Sequence, residues 1–378
     1  MSRAARAWIV ALAWALTQAV AAPSAGAVPA SGACGPEACE QMLALPDDAG
    51  SLRYFSSLPP GPGPTQALLV MHGHPRDAHR SLAAGMQAVS RAGRGDDTLV
   101  VAPLFQVAPD RAAHCHTPGE PAAQAGEALW TCSGWLEGGR STGAHAIGSF
   151  AALDALLQEL ARRWPGLRTI TLAGFSAGAQ VLQRSVGFSA AFADGRGPRL
   201  RYVIASPGSW LYLDALRPQL VRDGRAADWS ACWADHALAP GCTIRWAAPE
   251  AASQAACPGL DRWKYGLAAL PAHLQPLAAQ VRSRWNTAEL HYLAGALDDG
   301  PGPGRAAGLL DRSCGAQAQG PFRLQRAWAF ADRDRALRAA DAPPAGPPLT
   351  VVPGCAHDVV CVLGSAEAGA LLFPPERP

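Results

Sequence analysis

The stretch from Arg168 to Gly187 constrains the 378-residue chain more than any other. Arg168 to Ala173 reads as a short buried strand. It runs without a spacer into Gly174-Phe175-Ser176-Ala177-Gly178, and a helix is expected from Ala177 to Gly187. This is G-x-S-x-G in a strand, tight turn, helix context. The glycines Gly174 and Gly178 let the strand reverse into the helix without side-chain clashes. The turn lifts the Ser176 hydroxyl out of the sheet, above the free N–H groups and positive end of a helix. The plainer reading is a glycine-rich turn whose serine caps the helix.

The rest of the chain keeps the same alternation. Strands are expected at Gln66 to Met71, Thr98 to Ala102, Leu200 to Ala205, Leu290 to Ala294 and Leu349 to Val352. Residues 149–164 carry Phe150, Leu153, Leu156, Leu157 and Leu160 at helical spacing, and Trp164-Pro165-Gly166 ends that helix. Strands separated by helices predict an α/β fold, a mostly parallel central sheet with helices on both faces. Residues 207–285 break the rhythm. They hold Trp210, Trp229, Trp233, Trp246, Trp263 and Trp285, with three cysteines, and read as a Trp- and Cys-containing cap insertion over the carboxyl ends of the strands. These tryptophans are either core of that cap or an aromatic platform for a ligand.

A serine nucleophile needs a base, and the base needs an orienting acid. His357 falls in a loop just after the last strand, between Cys355 and Cys361. His236, His273 and His291 are weaker candidates by position. The acid is expected where the preceding strand ends, at Asp298, with Asp299 as the alternative acid. An oxyanion hole requires two backbone N–H donors. One is assigned to Ala177, next after the serine, and one to His74, in the loop Met71-His72-Gly73-His74-Pro75 after the first strong strand.

Residues 1–27 read as a signal peptide and processing region. Arg3 and Arg6 precede an apolar run from Ala7 to Ala22, with small residues near Ala21–Ala22 and at Ala25-Gly26-Ala27 as cleavage sites. Ten cysteines fit an oxidising compartment. Nearness suggests the pairs Cys34–Cys39, Cys115–Cys132, Cys232–Cys242, Cys257–Cys314 and Cys355–Cys361, although spacing alone does not determine connectivity. His114-Cys115-His116 has a metal-like look but lacks a second ligand pair, so no metal is expected. Residues 28–50, rich in Ala, Gly and Pro, read as a flexible N-terminal arm ahead of one domain over 51–378. Hydrophobic residues at 49% against 16% charged exclude a disordered chain. Lys plus Arg is 32 and Asp plus Glu is 30, so there is no basic excess to hold nucleic acid. Past the leader no run is apolar and long enough to span a bilayer, so no stable membrane insertion is expected.

His72-Gly73-His74, Gly174-Phe175-Ser176-Ala177-Gly178, Gly295-Ala296-Leu297-Asp298 and His357 together resemble the α/β-hydrolase superfamily. Within it the chain is similar to secreted serine esterases and polyester depolymerases. The resemblance spans about residues 50–375. It implies a catalytic triad of Ser176, His357 and Asp298 that cleaves carboxyl esters (EC 3.1.1-like) of small or polymeric substrates through an acyl-enzyme, without a cofactor. The product would be secreted or periplasmic. The alternatives are a peptidase or amidase on the same fold, and a non-catalytic binding protein.

Overall fold

The computed structural model describes residues 38–338 and 349–373. The expected leader, and Cys34 with its expected pairing to Cys39, lie outside the described residues. Eight strands form the main sheet: β1 (Cys39–Ala44), β2 (Ser51–Ser56), β3 (Gln66–Met71), β4 (Thr98–Leu104), β5 (Thr169–Phe175), β6 (Arg199–Ala205), β7 (Glu289–Gly295) and β8 (Thr350–Val352). Their spatial order is β1-β2-β4-β3-β5-β6-β7-β8. β1 pairs antiparallel with β2, and β2 antiparallel with β4. Every pairing from β4 to β8 is parallel.

After their first residue β3 and β4 are apolar at every position, because both faces of the sheet are covered. Ala67, Leu69 and Met71 of β3 face one core with Leu99, Val101, Ile170 and Leu172. Leu68 and Val70 face the other with Val100 and Ala102. The first core is closed by the helices α2 (Ser149–Arg163), α3 (Ala177–Ser185) and α4 (Arg323–Arg338). The second is closed by α1 (Ala78–Arg91), α5 (Val359–Leu363) and α6 (Ala366–Leu372).

One expectation is corrected. Residues 39–44, read as part of a flexible arm over 28–50, are the edge strand β1, with Cys39, Gln41 and Leu43 turned inward. Gln41, buried among the inward positions, breaks the apolar alternation that would have marked it. The expected pairs Cys115–Cys132, Cys232–Cys242, Cys257–Cys314 and Cys355–Cys361 are all bridged.

Between β6 and β7 the strand–helix alternation stops. The stretch builds a three-stranded antiparallel sheet from Arg217–Arg222, Arg225–Ala227 and Cys242–Ala247, and a hairpin of Trp233–Ala234 with Ala237–Leu238. Four of its tryptophans are engaged in packing. Trp210 stacks on Phe330 at 4.4 Å. Trp285 donates to Asp334 Oδ1 at 2.6 Å, Trp246 to Asp332 Oδ2 at 2.8 Å and Trp263 to the Glu137 carbonyl at 3.0 Å.

Candidate active site

β5 ends at Phe175, and α3 begins at Ala177. Ser176 makes the whole turn with φ 56° and ψ −118°. A non-glycine residue held there costs on the order of 1–3 kcal/mol and persists only where its surroundings enforce it. Here the Ser176 N–H donates to the Ala205 carbonyl at 3.0 Å, tying the turn to β6. The flanking glycines are required by contact. A Cβ on Gly174 would lie 2.4 Å from the Gly178 carbonyl, and one on Gly178 would lie 2.2 Å from the Met71 carbonyl. The turn is thus pressed against the end of β3, which delivers the His72–His74 loop to the same place.

His357 arrives from the loop after β8. Its Nε2 lies 2.9 Å from Ser176 Oγ, and its Nδ1 lies 2.7 Å from Asp298 Oδ2. The Cys355–Cys361 bridge closes this loop. The His357 N–H donates to the Gly304 carbonyl at 3.0 Å, and Phe175 packs on the ring at 4.6 Å. Burial pushes the His357 pKa below its ordinary value. The hydrogen bond to Asp298 opposes that shift, and the Arg323 charge adds to it. Asp298 follows β7 and is 2% exposed.

The two neighbouring carboxylates take different partners. Asp299 accepts from Trp233 Nε1 at 3.1 Å and Arg305 Nη1 at 3.0 Å, and meets His236 Nδ1 at 2.8 Å. Burial works to raise its pKa, but His236, Trp233 and Arg305 outweigh it and hold it below the usual carboxylate value. His236 is thereby engaged away from Ser176. His273 Nε2 bonds the Gly138 carbonyl at 2.7 Å, and His291 Nε2 lies 3.4 Å from Glu289. Cys115, inside the His-Cys-His run, is oxidised to Cys132 and cannot act as a thiolate ligand.

The His72–His74 loop is stiffly held. His72 is fully buried; its Nε2 accepts from the Phe105 N–H at 3.2 Å, so Nδ1 carries the proton and donates to the Gly73 carbonyl at 2.9 Å. Burial drives its pKa down to about 3. The Gly73 N–H is taken by Asp77 Oδ1 at 2.9 Å. Among the described residues, no acceptor meets the N–H of His74 or of Ala177. Both residues line a cleft of about 330 Å³ that also contains Ser176 and His357.

Several groups at this cleft were not among the expected site residues. Arg323, the first residue of α4, reaches Asp298 Oδ1 at 3.2 Å. Lys264, in the cleft wall, bonds Glu137 Oε1 at 2.8 Å and lies 3.5 Å from Asp311 Oδ2. Burial works to raise the Asp311 pKa, but Lys264 and the Tyr265 hydroxyl outweigh it and hold it low. Two buried arginines fix the floor. Arg184 of α3 donates to the Leu136 carbonyl at 2.8 Å and Ser209 Oγ at 3.0 Å. Arg326 of α4 donates to the carbonyls of Gly320, Gly208 and Asp311, and burial lowers its pKa to about 10.

No family model matches the chain, and no curated protein sequence matches it. Solved structures do resemble it. A poly(3-hydroxybutyrate) depolymerase from Bordetella parapertussis is 18% identical with a TM-score of 0.53, covering 92% of each chain. A poly(aspartic acid) hydrolase from Sphingomonas sp. KT-1 is 18% identical with a TM-score of 0.53, covering 89% of this chain and 99% of that one. At this identity the likeness is one of fold.

Proposed function

We propose that this chain, whose fold is that of the α/β hydrolases, is an exported serine hydrolase that cleaves carboxyl esters through Ser176, His357 and Asp298. The observation that carries the reading is the continuous hydrogen-bonded line from Ser176 Oγ through His357 to Asp298, at 2.9 Å and 2.7 Å, beginning on a serine held at positive φ. A helix-capping serine needs neither the strained turn nor the imidazole.

In this reading each residue has one role. His357 Nε2 takes the Ser176 proton as Oγ attacks the acyl carbonyl. The carbonyl oxygen becomes an oxyanion and accepts from the N–H groups of Ala177 and His74, each such donor contributing roughly 10²–10³ in rate. Asp298 holds the imidazole with its proton on Nδ1 and stabilises the imidazolium. The imidazolium then gives its Nε2 proton to the leaving alkoxide. Water, deprotonated by His357, repeats the attack on the acyl-enzyme and restores Ser176. The scheme uses no metal or organic cofactor.

The segment over about 207–285 acts as a cap on this cleft, to which it contributes Lys264. Residues 1–27 direct export, in keeping with four disulfides. Among the described residues no helix is long and apolar enough to cross a membrane. The substrate is a small or polymeric ester. The name of the Bordetella neighbour supports the polymeric form.

The test is labelling of purified, oxidised protein with a fluorophosphonate, beside a Ser176→Ala control, with peptide mapping of the adduct. Label on Ser176 and loss of label in the control are expected. An unlabelled but folded wild-type protein would move the reading to a binding role. Parallel assays on matched aryl esters and anilides separate an esterase from an amidase.

A further inference from the structure

A second cavity, of about 680 Å³, lies between the insertion after β6 and the segment after β7. It shares no lining residue with the catalytic cleft. Its volume is within the ~300–1,000 Å³ usual for small-molecule sites. Two indoles line it. The rings of Trp229 and Trp233 have centroids 5.8 Å apart and planes at 62°, so they make a corner rather than a stack. Trp233 is fixed there: its Nε1 donates to Asp299 Oδ2 at 3.1 Å, and the Cys232–Cys242 bridge braces its hairpin. Phe322 adds a third ring to the lining.

The polar groups of the lining are either spent or open. Asp299 is spent on Trp233, His236 and Arg305, and Arg326 on three backbone carbonyls. Asp228 is exposed and holds only its own turn, accepting from Ser230 Oγ and the Ala231 N–H through Oδ1. The Arg312 side chain, also exposed, makes one bond among the described residues, from Nη2 to the Ala307 carbonyl at 3.2 Å. Gln325 is 2% exposed; its Nε2 donates to the Asp299 carbonyl at 3.0 Å, and its Oε1 meets no donor among the described residues. A buried acceptor left unpaired is rare in folded proteins and marks where a donor belongs.

These groups decide among ligand classes. A hydrocarbon chain would strip water from Asp228 and Arg312 and replace it with nothing. An anion is opposed by Asp228, and a cation by Arg312. A neutral ring bearing several hydroxyls suits all of them. Its C–H face packs on an indole, and its hydroxyls donate to Asp228 and Gln325 Oε1 and accept from Arg312. We propose that this cavity is a carbohydrate site that takes a neutral pyranose unit of a glycan on Trp229, in the corner that Trp233 closes. It is separate from the catalytic cleft, and the proposal does not rest on any chemistry at Ser176.

The test is calorimetric titration of the purified, oxidised protein with cellotetraose, maltotetraose and xylotetraose in turn. At least one is expected to bind with a Kd below about 5 mM; weaker or absent binding of all three overturns the proposal. For the sugar that binds, Trp229→Ala should weaken affinity about tenfold or more, and Trp229→Phe should retain part of it. Arg312→Ala should weaken it severalfold, and this exposed side chain tests the site without disturbing packing. Unfolding midpoints equal to wild type show that the variants fold. Wild-type affinity in both alanine variants overturns the proposal. Binding of hexanol that depends on Trp229, without binding of any sugar, would make the cavity an apolar site and overturn it as well.

Discussion

Arg323 Nη1 stands 3.2 Å from Asp298 Oδ1, on the carboxylate oxygen that His357 does not use. Both side chains are 2% exposed. The guanidinium also donates to the Arg305 and Ala306 carbonyls, so one side chain holds both the acid and the loop beside it. Removing one partner of a buried pair leaves the other charge uncompensated, at a cost of about 3–5 kcal/mol. Arg323→Met should lose stability of that order and lower kcat more than it raises KM. Denaturant unfolding and steady-state kinetics check both; a wild-type midpoint would show that the pair is not structural.

Asp298 and Asp299 differ in what they touch, and substitution should separate them. Asp298→Asn removes the acceptor that fixes the His357 tautomer and should lower kcat by about 10⁴. Asp299→Asn leaves that contact intact but weakens the anchor of Trp233, His236 and Arg305. Its kcat on a small ester should stay within about an order of magnitude of wild type. The reverse ranking would reassign the acid.

The pH profile follows from His357. In its proposed role as base it must be neutral, and burial, with Arg323 nearby, holds its pKa below the ordinary 6.5. The protonated, inactive form is then confined to lower pH. kcat/KM should rise through an apparent pKa below 6.5 and be flat near neutrality. An acid limb centred above 6.5 would contradict the burial argument.

The parallel strands were legible because burial on both faces leaves continuous apolar runs, as in Leu68-Leu69-Val70 and Leu99-Val100-Val101. β1 was not, because Gln41 points inward where the alternation calls for an apolar residue. α4 was missed for a related reason. Arg323, Gln325, Arg326 and Asp334 are buried on it, so its inward face reads as polar. At the candidate site, Ser176 and His357 were singled out by their places after the strands now labelled β5 and β8. Asp298 was preferred over Asp299, but adjacent carboxylates after one strand differ only in which side of the chain they leave from, and that needs the fold. Arg323 is one of many arginines and gives no signal until α4 is placed. Lys264 did carry one: it is the single lysine among 32 Lys and Arg residues, and it stands in the cleft wall.

The Cys355–Cys361 bridge closes a loop with a sequence separation of 6 around His357. In the chain-entropy account a loop of this size is stabilised by about 2 kcal/mol. The greater effect should be on chemistry, because the loop sets the distance from His357 to Ser176. Replacing both cysteines with alanine should lower kcat severalfold or more while KM moves little, a split that separates imidazole positioning from substrate binding. Equal kcat in the two proteins would mean that the Gly304 carbonyl and Phe175 hold the imidazole unaided.

His72 should make the fold sensitive to acid. Its pKa is about 3 when folded, through burial, against an ordinary value of 6.5. Between those values the unfolded chain binds a proton that the folded chain excludes, so stability falls as pH drops through this window. The loss is up to about 1.4 kcal/mol per pH unit from this one residue. His72→Gln is uncharged at any pH and should flatten that dependence, even though it weakens the bonds to Phe105 and Gly73 at neutral pH. Unfolding midpoints from pH 7 to pH 4 test it. Parallel curves for the two proteins would place the acid sensitivity elsewhere.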